Sequence, residues 1–432
     1  MTRQAPLLAA LLAAACARPS GAPPAPPAPA APPAPAAGAA ACRLGEGSAP
    51  RAPTVTVALT DSVDPAHVPV PRTDAERLVF GQLYETLVRF DCGGHPVPGL
   101  AESWTSSEGG RRWTFTLRSE AHFWDGAPVS ARDVVVGKSG AGFTLSPAGE
   151  RAVIVLLARG SDSVPAFLAD PALAVTKPAP DRGWPIGTGR WWVTGATATE
   201  QEIRAHTTGG DTLIFRLATG RDPRDLLDAG VDLLVTRDRA VLDYAATQAS
   251  FATLELPWDR TYVLAAPEAP AARLDGLDQA VRAEARRAEG PFWWERLEAC
   301  ALPPGAAAAD SAAAPARPKR TVFPRPDPVA RDLAGRIAAL THGVAAGQSP
   351  AAFGRALAAG TEAGYVFALP RQVADPCRAA RDLLPPWPSM VAPLVDTRAR
   401  AVVRRGGGRG GGGGGGASRW VVDWDGTVRL AP

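Results

Sequence analysis

An α/β fold divided into at least two lobes is what the sequence predicts. Three observations carry the prediction. The chain has 432 residues, more than one hydrophobic core usually serves. Short β-branched runs such as Thr54-Val55-Thr56-Val57-Ala58-Leu59 and Leu213-Ile214-Phe215-Arg216-Leu217 read as strands. Between them, apolar residues recur at helical spacing: Leu78, Leu83, Leu87 and Val88 across Ala75 to Arg89, and Val329, Leu333, Ile337 and Leu340 across Asp327 to Thr341.

Composition narrows the partners. The formal net charge is +3, spread along the chain with no long basic run, so a nucleic-acid partner is not expected. Asn is absent and the 46 cationic residues are nearly all Arg, the mark of a GC-rich genome. Ala, Gly and Pro enrichment is discounted accordingly.

The first sixteen residues hold Arg3, an apolar stretch Leu7 to Ala15, and Cys16. That is too short to span a bilayer and suits a signal peptide over 1–16. Ala13-Ala14-Ala15-Cys16 resembles a bacterial lipobox, with Ala13 where Leu is usual, which implies a lipid on Cys16 and attachment to a membrane. Residues 17–50 are Pro/Ala-rich without apolar periodicity and read as an extended tether.

The densest punctuation lies between residues 78 and 134. After the helix come a turn at Cys92-Gly93-Gly94, the run Pro98-Gly99-Leu100-Ala101-Glu102-Ser103-Trp104 entering a strand, and a hairpin turn at Glu108-Gly109-Gly110. The alternation Trp113, Phe115, Leu117 follows, then the turn Phe123-Trp124-Asp125-Gly126, with Ser130 or Asp133 placed to cap a helix. This ordered series resembles the family 5 bacterial extracellular solute-binding proteins, the peptide- and nickel-type receptors of ABC importers.

The resemblance implies a two-lobed periplasmic-binding-protein type II fold, cluster C-like, with a central cleft and a hinge. Lobe I would span 51–262 and lobe II 263–385, with a return to lobe I over 386–432. In the family the first strand ends in a turn at the cleft rim, which makes Thr60, Asp61 and Ser62 candidate ligand-binding residues. Trp184, Trp258 and Trp387 adjoin breaks in regular structure and are candidates for the cleft as well. Trp184 to Val193 is similar to the family's GTG turn, with Arg190 and Trp191 in place of Pro and Tyr. Leu254 to Leu264 is similar to the stretch where relatives cross between lobes.

The chain departs from the family in three places. A deletion follows Val136, the likeness fails from Ala265 to Thr321, and Pro370-Arg371-Gln372 stands near where peptide receptors carry an acid for the ligand's amino terminus. Residues 301–320 read as a disordered insert and 406–416 as a Gly-rich loop.

Beyond Cys16 the cysteines are Cys42, Cys92, Cys300 and Cys377, with no C-x-x-C pair. An even count in an exported chain favours disulfides, with three possible connectivities. Pairing Cys42 with Cys92 and Cys300 with Cys377 is favoured because each staple stays within one lobe. G-x-S-x-G, H-E-x-x-H and Walker A sequences are lacking, so neither an enzyme nor a cofactor is expected. His67, His95, His122, His206 and His342 are scattered and read as surface or packing residues rather than metal ligands, with nickel binding in the family keeping a metal as the lesser alternative. The expectation is a monomeric, membrane-tethered receptor that takes a small solute, oligopeptides among the classes, and docks on importer membrane subunits. The alternative is a degenerate, receptor-derived envelope lipoprotein with a scaffolding role and no transported ligand.

Overall fold

The computed structural model describes residues 42–44, 54–136, 143–180, 183–199, 201–218, 220–266, 319–370, 390–405 and 420–430, together with 277, 280, 281 and 283. Two larger sheets organise it, each covered by helices on both faces.

The first sheet has six strands in the order Phe251–Glu255, Arg400–Arg404, Leu233–Thr236, Thr54–Leu59, Thr212–Leu217, Glu202–His206. Thr54–Leu59 lies parallel to both of its neighbours, so Val57 stands between Leu233 and Phe215. One face packs under the helix Asp74–Leu83 through Val55, Val57, Leu213 and Phe215. The other packs through Ala58, Leu234 and Val402 on the short helices Pro223–Asp228 and Arg239–Thr247.

The helix Asp74–Leu83 starts where Thr73 accepts the amide of Glu76 at 3.1 Å. It ends earlier than the periodicity of Leu87 and Val88 predicts, because Val88–Phe90 turns into a strand against Pro96–Pro98. Leu83 presents its carbonyl to the amide of Gly189 at 3.0 Å. The GTG turn crosses this helix end so closely that a Cβ on Gly187 would lie 2.2 Å from the Leu83 carbonyl oxygen. The glycines serve backbone contact.

A C-terminal hairpin, Trp420–Val422 with Val428–Leu430, docks on the same helix. Gln82 fastens it, donating to the Val428 carbonyl at 2.9 Å and accepting the Leu430 amide at 3.1 Å. Residues 42–44 add to its edge, with Leu44 donating to Trp420 and Val422 to Cys42. A disulfide joins Cys42 to Cys92, their Cα atoms 5.4 Å apart.

A four-stranded antiparallel sheet, Ala101–Ser107, Arg112–Leu117, Ala152–Leu157 and Phe143–Ala148, carries a core of its own around Trp113, Phe115, Leu117, Val153 and Val155. Here the 78–134 block takes shape. The turn Glu108-Gly109-Gly110 has three successive positive φ angles of 53°, 63° and 78°. Ser130 and Asp133 form a reciprocal capping box on Ala131–Val135.

The second lobe is a five-stranded sheet in the order Val344–Gln348, Arg320–Pro324, Gly364–Pro370, Arg260–Ala266, Met390–Thr397. The helix Pro328–Thr341 covers one face with Val329, Leu333 and Ile337. The helix Pro350–Ala359 covers the other through Phe353, set edge-on to Tyr365 and Phe367. Met390–Thr397 thus lies in the second lobe, where the sequence placed a return to the first. Arg260–Ala266 also lies wholly in this sheet, so the change of lobe comes before residue 262.

Candidate functional site at the crossing between the lobes

The chain passes between the two sheets twice within the described residues. Outward, Phe251–Glu255 of the first sheet leads through residues 256–259 into Arg260–Ala266 of the second. Back, Met390–Thr397 leads through residues 398–399 into Arg400–Arg404. The two crossings are laced together: Leu256 donates to the Ala399 carbonyl and Asp259 to the Thr397 carbonyl, both at 3.2 Å. Opposite Tyr262 and Val263 the register shifts by one residue, Leu394, and this bulge bends the returning strand Met390–Thr397 just before its crossing. Two short adjacent segments of this kind let two lobes turn while few dihedrals change.

Charged side chains converge here. Asp74, the first residue of its helix, pairs with Arg260, and its other oxygen lies 3.5 Å from Nε of Arg237. Arg237 pairs with Asp259, and Asp259 lies 3.6 Å from Nε of Arg260. The four side chains therefore close a ring of alternating sign. Burial pushes the Asp259 carboxyl above its ordinary value, and the Arg237 guanidinium opposes that push. On the other side of the crossings Glu255 takes Arg398 at 2.6 Å and Arg400 at 2.7 Å.

The end of strand Thr54–Leu59 faces this region. Asp61 is partly buried, and burial holds its carboxyl above the usual value; Arg260 of the second lobe works against this, while Asp327 of the second lobe and Glu76 reinforce it. Among the described residues its carboxylate has no hydrogen-bond partner. Asp327 is held from behind: the hydroxyl of Tyr262, fully buried, lies 3.0 Å from both of its oxygens and shares its one proton between them, and Asp327 in turn accepts the amides of Val329 and Ala330. The loop after Asp61 is fixed by Glu76, only 1% exposed, which accepts the amides of Asp64 and Arg72 and lies 2.6 Å from Nδ1 of His67.

The residues singled out from sequence fare differently. Thr60 and Asp61 are partly buried and Ser62 is exposed, all on the rim loop. Trp258 lies on the outgoing crossing, with the Arg398 guanidinium over its ring. Trp184 is not a cleft residue: at 5% exposure it packs edge-on against Phe80 in the core of the first lobe. A turn beside GTG does bring it to a break in regular structure, but the indole turns inward under the helix. Cys16, Cys300, Cys377 and Trp387 lie outside the described residues. The ring residues Asp74, Arg237, Asp259 and Arg260, with Tyr262 and Asp327, were not singled out from sequence. They are spread over more than 250 positions, and the only local signal was the Asp-Arg pair following Trp258.

Residues 95–137 match the family model of the bacterial extracellular solute-binding proteins, family 5. That stretch is 43 of the chain's 432 residues. The periplasmic oligopeptide-binding protein OppA of Escherichia coli strain K12 is 43% identical over 75 residues, a stretch that is 17% of this chain and 13% of OppA. In fold the likeness extends much further. NikA from Brucella suis in complex with Fe(III)-EDTA superimposes with a TM-score of 0.64 at 16% identity, covering 84% of this chain and 97% of that one. The ABC transporter-associated periplasmic binding protein DppA from Helicobacter pylori, in complex with the peptide STSA, gives 0.61 at 13% identity, covering 88% and 98%. The two-lobed fold of these binding proteins is thus shared over more than four fifths of the chain, while the family-model match is to residues 95–137.

Proposed function

We propose that this chain is an extracytoplasmic solute-binding receptor of an ABC-type importer that takes a small solute between its two lobes. The observation that carries the reading is the double crossing, in which two short hydrogen-bonded segments are the described covalent links between lobes of independent core. Asp61 from one lobe and Asp327 from the other supply acceptors for a solute's donor groups. The peptide bound by the Helicobacter pylori relative and the chelated iron bound by NikA make peptides and metal chelates the first classes to try. Anchoring through a lipid on Cys16, with residues 17–50 as the tether, and action as a monomer belong to the same proposal.

A thermal-stabilisation panel of peptides, metal chelates and opines tests it. A receptor gains stability from a ligand that binds only the folded state, by about 2.7 kcal/mol at a hundredfold excess over Kd. A panel that leaves the melting temperature of folded protein unchanged throughout counts against transport of these solutes.

A further inference from the structure

We propose that the ring of Asp74, Arg237, Asp259 and Arg260 is a latch that sets the equilibrium between lobe arrangements, with Asp74–Arg260 as the contact that lobe rotation makes and breaks. This rests on the receptor reading above, for which it supplies a means of control.

The four residues differ in where they are attached. Asp74 sits on a first-lobe helix and Arg237 follows the first-lobe strand Leu233–Thr236; Asp259 lies on the crossing and Arg260 is the first residue of the second-lobe strand. Rotation about residues 256–259 and 398–399 leaves Asp74 beside Arg237, both in one lobe. It also leaves Arg260 beside Asp259, its neighbour in sequence. Of the lateral pairs, Asp74–Arg260 is the one whose partners belong to different lobes.

Breaking a buried ion pair ordinarily strands a charge, which is what makes such pairs hard to open. The ring avoids this. When Asp74 and Arg260 part, each keeps a second partner of opposite sign. Burial follows the same division: the side chains of Arg237 and Asp259 are 8% and 10% exposed, forming a fixed base, whereas those of Asp74 and Arg260 are 34% and 21% exposed and can be reached by water on release. Oδ1 of Asp259 is buried without a hydrogen-bond partner, so the carboxylate whose Oδ2 lies 3.6 Å from Nε of Arg260 keeps acceptor capacity. An equilibrium that a modest ligand preference can tip requires a small gap between states, and a contact that opens without stranding charge provides it.

The test uses the full chain without solute, spin-labelled through non-natural residues at Ala246 and Ala358, exposed helical positions in the first and second lobes. Interlobe distances are measured for wild type, Asp74→Asn, Arg260→Gln and the double variant. Each single variant should shift the distribution away from that of wild type, and the double should shift it no further than the larger single. Asp74→Glu, which keeps the charge, should retain the wild-type distribution. If Arg260→Gln fails to fold, Arg260→Lys takes its place and must shift the distribution in the same direction, since an ammonium lacks the forked geometry that reaches two carboxylates. Superimposable distributions in all variants, or a double-variant shift equal to the sum of the singles, would overturn the latch. A wild-type distance that no solute changes speaks instead against the receptor reading, since the variant comparison needs no solute.

Discussion

The guanidinium carbon of Arg398 lies 4.3 Å from the centroid of the Trp258 ring. One residue is on the returning crossing and the other on the outgoing one, so each segment holds its partner in place. Glu255, at the end of the preceding strand, holds Arg398 in turn at 2.6 Å. Replacing Trp258 by Ala removes a cation–π contact of about 0.5–1 kcal/mol at a partly exposed site and frees the crossing. Solute-induced compaction should weaken more in Trp258→Ala than in Trp124→Ala, because Trp124 stacks on Trp192 in the first lobe, rings 5.9 Å apart. Equal effects in scattering experiments on the two variants would mean that the crossing is not the pivot.

The Cys42–Cys92 disulfide closes a loop with a sequence separation of 50. By the chain-entropy relation this constrains the unfolded chain by about 4 kcal/mol. Cys42→Ser/Cys92→Ser should show a matching fall in unfolding free energy by urea titration. A double variant as stable as wild type would show that docking of residues 42–44 on the C-terminal hairpin suffices without the covalent link.

Glu76 organises the rim loop from a buried position. Glu76→Ala leaves the amides of Asp64 and Arg72 and the His67 ring without their acceptor, at a cost of about 2–3 kcal/mol. Hydrogen exchange should report lost protection at Asp64 and Arg72 first. Unchanged protection there would show that the loop is held by other contacts.

Asp61 gives a pH dependence of defined sign. Burial raises its folded-state pKa above the unfolded value, so between the two the native chain binds more protons than the unfolded chain. Stability then falls as pH rises through that window. Asp61→Asn removes the penalty: it should melt above wild type at neutral pH, with the gap closing as pH drops below the ordinary carboxylate range. The same variant should respond less to solute, the exchange of stability for function seen at binding sites. A constant gap at every pH would remove the carboxylate from the explanation.

Much of the first lobe was legible because its signals are local. Glycines at 109 and 110 mark a hairpin turn and Ser130 with Asp133 marks a cap; each is decided within a few residues. The crossing was legible only through the resemblance of Leu254 to Leu264 to the stretch where relatives pass between lobes. The far end of the first helix was misjudged because Leu87 and Val88 continue the helical spacing while their real partners, across the strand at 96–98 and the turn at Gly99, lie further along the chain. Trp184 was misplaced for a related reason: a Trp beside a turn faces core or solvent according to what the turn packs on, here the helix end at Leu83. The charged ring left almost no trace, because Asp74, Arg237 and Arg260 meet only after the two sheets are assembled.

Small-angle scattering with a solute panel tests the central claim most directly. A two-lobed receptor should give a smaller radius of gyration with at least one peptide, metal chelate or opine, accompanied by a higher melting temperature for that solute. If the protein is folded and monomeric and no solute changes either quantity, lobe closure on a ligand is contradicted, and a ligand-less scaffold built on the receptor fold becomes the account to pursue.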